Sequence, residues 1–168
     1  AVQLIFKNGV GIIAQPNRMV FVEALNTKNL DEIEVPVITR KCIEKLPKLD
    51  YKAIGINPRG YVSYDSNDEA YSYFHHTLLN SGEWQNVGNT KMSASLQLAY
   101  SLERCQLNLA VNQGMLNLPE DKSIPVILFS GNFNYEIAGN TQSERLQDLN
   151  KLVENWQSNL DTFREVVD

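Results

Sequence analysis

Through the first 25 residues apolar positions recur with a period close to two, which predicts strands. Val2, Leu4 and Phe6 alternate with Gln3, Ile5 and Lys7, Asn8-Gly9 is a pair able to take positive φ, and residues 10–14 return as an apolar strand. Gln15-Pro16-Asn17-Arg18 then turns the chain into residues 19–23, completing a three-stranded meander. Residues 26–31 are polar and read as a loop. Pro36 stands in the first turn of a short helix whose Val37, Ile38, Lys41, Cys42 and Lys45 keep helical spacing until Pro47 stops it. Residues 51–56 and 61–64 read as strands separated by a turn or bulge at Asn57-Pro58-Arg59-Gly60.

The spacing next becomes helical. Ser66 stands three residues before Glu69, the pattern in which a hydroxyl and a carboxylate satisfy two orphan amides at a helix start. Ala70, Tyr73, Phe74, Thr77 and Leu78 then share one face, up to Asn80-Ser81-Gly82. Beyond a loop over residues 83–90, alternation returns in three runs, with Ala94 to Leu102, Cys105 to Val111 and Ile127 to Ile137 each laying every second residue on one side. Thr141 and Glu144 repeat the capping pattern. Leu146, Leu149, Val153, Trp156, Leu160, Phe163 and Val167 follow at alternating spacings of three and four, a heptad stripe on a rod of roughly 40 Å.

This order predicts an α+β fold in one domain spanning residues 1–168. It has an antiparallel β-sheet of about six to eight strands, helices packed on one face and a long C-terminal helix, because the strand-helix-strand alternation of a parallel sheet is missing. The succession strand-strand-strand-helix at both ends suggests a βββα pseudo-repeat.

Composition sharpens the class. A chain of 168 residues with 43% hydrophobic and 21% charged residues can bury a full core without staples. Fifteen basic against twenty acidic side chains give a net charge of −5, with no basic cluster of the kind that holds phosphates, so no nucleic acid is expected as a partner. No apolar run reaches the roughly 18 residues needed to span a bilayer, so no membrane is expected either. Cys42 and Cys105 lie far apart and in no ligand spacing; two thiols without a bridge favour a reducing compartment, and the cytoplasm is the expected location. The sequence opens at Ala1 inside a strand-like run, which leaves a preceding segment open.

Candidate chemistry is sparse. Gly9-Val10-Gly11-Ile12-Ile13-Ala14 satisfies the spacing of a dinucleotide loop, but no helix follows whose amino end could hold a pyrophosphate, so it reads as a hairpin turn. His75-His76 is the one local cluster that titrates near neutral pH, and adjacent helical residues diverge by about 100°, so the two cannot chelate one metal. Both are expected to flank the apolar face. Asp68, Ser72 and His76 share a stripe at spacing four, and with Tyr61 and Tyr64 they form the candidate ligand site. No catalytic residue, metal or cofactor is assigned.

The polar side of the late strands carries Ser95, Gln97, Ser101, Gln106, Asn108, Asn112, Asn132 and Asn134 with almost no charge, where a solvent face normally bears Lys and Glu. Gln97, Asn108, Asn132 and Asn134 are therefore interface candidates. So are Leu160, Phe163 and Val167, because a rod that long should overhang a modest sheet. The expected function is an interaction or structural module that self-associates as a homodimer. The alternative is a small-molecule-binding or hydrolase-like protein with a pocket between the sheet and the C-terminal helix.

Overall fold

The computed structural model describes residues 2–25 and 28–168; Asn26 and Thr27, at the start of the expected loop, lie outside the described residues. Among the described residues eight strands and four α-helices follow in the order β1 (Val2–Ile5), β2 (Gly11–Gln15), β3 (Arg18–Val22), α1 (Val35–Lys45), β4 (Ala53–Ile56), β5 (Arg59–Ser63), α2 (Asn67–Ser72), β6 (Ser95–Ser101), β7 (Gln106–Asn117), β8 (Ser123–Glu136), α3 (Gln142–Glu154) and α4 (Trp156–Val167). The antiparallel α+β class is what the alternation predicts, and three strands followed by helix recur at both ends. The strands divide into two sheets, one ordered β1-β2-β3 and one ordered β4-β8-β7-β6 with β5 also on β8. Contacts group the chain into two compact units, Ala1–Ile54 with Ile137–Gln157, and Gly55–Glu136 with Ser158–Asp168.

In the first unit, Gly9 takes φ +86°, and the turn closes through Gly9 N–H on Phe6 C=O at 3.0 Å and Phe6 N–H on Val10 C=O at 2.8 Å. This three-residue hairpin needs a left-handed residue there, which glycine adopts without strain. The register sets Leu4 beside Ile12 and Ile12 beside Phe21, with Val2, Ala14 and Met19 in the next row of the same face. Helix α1 approaches that face at Met19, where the Cys42 Sγ lies 3.9 Å from Sδ. Its amino end is held by Glu23, whose carboxylate accepts from the Glu34 and Val35 amides at 2.8 and 3.0 Å. An anion at that end satisfies orphan donors and opposes the helix dipole.

Helix α3 buries Leu149 and Val153 with Ile43 of α1, and Tyr51, Ile54, Ile137 and Leu146 pack around them. The first half of the heptad stripe therefore meets a second helix, where a sheet was expected. Arg145 donates to the Tyr51 carbonyl, and Gln142 Nε2 reaches the Pro47 carbonyl at 2.8 Å.

In the second unit, β7 and β8 pair over twelve residues from Gln106↔Asn134 to Asn117↔Ser123. Leu107, Leu109, Val111, Ile127, Phe129 and Phe133 are buried, as the alternation predicts. The expected single rod is interrupted at Asn155, whose N–H turns to the Lys151 and Val153 carbonyls. In α4, Leu160 and Phe163 are only 7% and 4% exposed. A Cβ added to Gly131 would fall 2.9 Å from Cδ2 of Phe163, and one on Gly60 would fall 3.7 Å from its Cε1, so the ring lies directly on the sheet. Beside it the Tyr135 hydroxyl donates to Asn159 Oδ1 at 2.5 Å inside the core. Burial and the neighbouring Cys105 thiol push Tyr135 up to about 12.

Candidate functional site

The candidate ligand residues lie on β5 and just beyond it, on α2 and in the turn that follows α2. Tyr61 lies on β5 opposite Leu128 and stays half exposed, while the Tyr64 ring meets Tyr73 at 5.7 Å. Asp68 pairs with Lys91, whose ammonium also sits 5.0 Å over the Tyr71 ring. That contact holds the Asp68 carboxyl below its ordinary value. Ser72 is exposed, and His76 Nδ1 meets Ser81 Oγ at 3.0 Å. Asp68, Ser72 and His76 share a stripe only if α-helical spacing continues past Ser72, and it does not.

From Tyr73 to Leu78 the helix widens to a π-helical turn, closed by Leu79 N–H on Phe74 C=O. Each such turn takes in one residue more than an α turn, so the residues behind it rotate relative to the face laid down by α2. This rotation overturns the expectation for His75. It lies fully buried beside Phe74, its ring stacked on Tyr71 at 3.8 Å, with Nδ1 3.0 Å from the Tyr71 carbonyl. The carbonyl can only accept, so Nδ1 donates to it, and the buried Nε2 has no hydrogen-bond partner among the described residues. A π turn has no signal in single-sequence periodicity. The clue available was the Tyr71-x-x-x-His75 spacing, which stacks two rings on successive turns.

Among the described residues no group of three or more His, Cys, Asp or Glu side chains could hold a metal ion. The Phe163 ring packs against Gly131 and Gly60 of the sheet. A depression of about 510 Å³ opens at the start of α1, lined by acidic Asp31, Glu32 and Glu34 with Val37, Ile38 and Lys41.

The polar face of the five-stranded sheet, almost free of charge apart from Arg59, forms rows. Ser101 stands beside Gln106 and Gln106 beside Asn134; Ala99, Asn108 and Asn132 make the next row, extended by Asn132 Nδ2 donating to Asn57 Oδ1. Gln97, Ala110, Ser130 and Arg59 follow, then Ser95, Asn112, Leu128 and Tyr61. Gln97, Asn108 and Asn134 are exposed and Asn132 is half-buried between its neighbours. Leu160 and Phe163 are buried in the chain's own core, and Val167 is half-buried.

The largest departure from an ordinary surface was not anticipated. All four residues of β1 are exposed, Val2 by 63%, Leu4 by 52% and Ile5 by 75%, and Phe6 beyond them by 47%. Met19 and Val22 on β3 are exposed as well. Val2, Leu4 and Met19 lie on the face that α1 approaches, Ile5 and Val22 on the other, so apolar side chains are exposed on both sides of the small sheet. Its outer strand has no second neighbour among the described residues. A sequence shows that Val2, Leu4 and Ile5 are apolar; it does not show that the strand is at the edge.

No helix among the described residues is long and apolar enough to cross a membrane. Comparison with protein-family models, with curated proteins and with solved structures finds no match.

Proposed function

We propose that the chain is an interaction module that self-associates through its three-stranded sheet. One observation carries this reading: an edge strand that exposes apolar side chains, Val2, Leu4 and Ile5, on both faces of its sheet. Edge strands carry unpaired amides and carbonyls and normally guard them with lysine, proline or a bulge; residues 2–6 have none of these. A contiguous apolar surface of this kind marks a protein contact. The net charge of −5 supports a protein rather than a nucleic-acid partner, and two unpaired thiols, Cys42 and Cys105, support a cytoplasmic location.

The test is sedimentation velocity of the wild type and Leu4→Lys over a hundredfold range of concentration. A larger species that grows with concentration in the wild type and is lost in the variant supports the reading. A wild type that stays monomeric throughout refutes it.

A second reading is favoured by the rows of carboxamides at Asn57, Asn108, Asn132 and Asn134. Each amide offers both a donor and an acceptor at far lower desolvation cost than a charge, so such a face can pair with a copy of itself. Asn108→Lys would then lower the sedimenting mass while Leu4→Lys left it unchanged.

A further inference from the structure

We propose, building on the self-association reading above, that two copies join β1 to β1 in an antiparallel register centred on Leu4, merging two three-stranded sheets into one of six strands. The hydrogen-bond parity of the hairpin leads to this register. Phe6 N–H bonds to Val10, and pairing continues residue by residue to Val2↔Ala14. The backbone groups of Phe6, Leu4 and Val2 therefore face β2, and those of Gln3 and Ile5 point outward. A two-fold axis through Leu4 sets Gln3 of each copy opposite Ile5 of the other, so every outward N–H and C=O of those two residues finds a partner, four hydrogen bonds in all.

Side chains fit the same axis. Leu4 meets Leu4 and Val2 meets Phe6, all on the face that continues through Ile12, Ala14, Met19 and Phe21, so the apolar rows run unbroken across the join. No charged residue lies within the paired stretch to repel its copy. A register slipped by one residue would set Leu4, whose backbone groups are already used, opposite the outward groups of Gln3. The junction spans only about 17 Å of strand. It buries well under the roughly 800 Å² per partner of a standard interface, so the dimer is a weak, concentration-dependent one.

The experiment is cysteine cross-linking of the 168-residue chain in a Cys42→Ser, Cys105→Ser background. In the proposed register the two Leu4 Cα atoms lie about 4.5 Å apart as a non-hydrogen-bonded pair, within disulfide reach. The two Gln3 residues are diagonal neighbours at about 7–8 Å, at or beyond that reach. Under mild oxidation Leu4→Cys should yield at least ten times more covalent dimer than Gln3→Cys, rising with concentration. If Gln3→Cys cross-links as well as Leu4→Cys while Leu4→Lys still abolishes the larger species, the register falls and self-association through β1 stands. If neither cross-links and the wild type sediments as a monomer, both fall. If neither cross-links and a dimer persists in Leu4→Lys, the contact lies elsewhere and the β1 pairing is wrong.

Discussion

Removing the Phe163 ring should expose how the carboxyl-terminal helix is held. The ring is almost wholly buried, so Phe163→Ala loses its transfer energy and leaves a cavity, together about 3–5 kcal/mol. Gly131→Ala places a methyl 2.9 Å from Cδ2 and 3.2 Å from Cε2 of that ring, with Pro58 Cγ at 3.3 Å, and overpacking of this kind costs about 1–3 kcal/mol. Combined, the two changes should not add. With the ring gone the new methyl meets only Pro58 Cγ, and alanine also restricts the unfolded chain, so the second substitution becomes close to neutral. The double variant should therefore be more stable than the sum of the singles by about 1–3 kcal/mol. Urea unfolding at two protein concentrations tenfold apart measures this, with equal slopes required of all four proteins. Additive losses would refute the ring-on-glycine packing. Losses that shrink at the higher concentration would show Phe163 in contact with a second subunit instead.

Other consequences follow from the same structure. His75→Gln should cost about 1–3 kcal/mol, because the stacked ring and its carbonyl contact are buried, whereas His76→Gln should stay within about 0.5 kcal/mol; equal effects in urea melts would place both histidines at the surface. Leu109→Ala should cost about 2–5 kcal/mol, and Leu98→Ala, 39% exposed on edge strand β6, well under that; the reverse order would overturn the assignment of the buried strands. Burial raises the Glu23 carboxyl, but Lys28 and the Val35 and Glu34 amides outweigh it and hold the carboxyl below its ordinary value. Its contribution is then fully present above the unfolded value near 4.3 and fades as pH falls through the lower folded value. Glu23→Gln should accordingly lower the urea midpoint at pH 7 and much less at pH 3, and an equal deficit at both would exclude the charged interactions as its source.

What periodicity could reveal depended on whether each position's neighbours were local. The rows led by Leu107, Leu109 and Phe133 were legible because alternation on a central strand reports burial directly. The two capping patterns were legible too: Thr141 and Glu144 bond each other's amides within one turn, and Ser66 accepts from the Glu69 amide, although the Glu69 carboxylate reaches back to the Asp65 amide. Leu98 was misleading for the opposite reason: it alternates like Leu109, but β6 ends the sheet, and edge position is a property of the fold. The heptad stripe correctly named Leu149, Val153, Leu160 and Phe163 as apolar contacts, without telling a helical partner from a sheet. His75 escaped because one widened turn rotates it inward, and Asn159 because its partner Tyr135 lies 24 residues away. The open amide face was legible residue by residue, while its extension to Asn57 needed the strand order.

The division into two units has a bearing on how the chain comes into being. Neither unit is one continuous stretch: the first takes residues from both sides of the second, and the second is completed only by the last eleven residues, Ser158–Asp168. On a ribosome adding about 5–20 residues per second, β1 to β3 and α1 would emerge some 5–20 seconds before α3 arrives to cover Ile43. During that interval the nascent amino-terminal segment displays both its uncovered helix face and its unguarded edge strand. Two neighbouring ribosomes on one message would present these strands to each other at high local concentration, so, on the proposed self-association, strand pairing between nascent chains would compete with completion of each chain on its own.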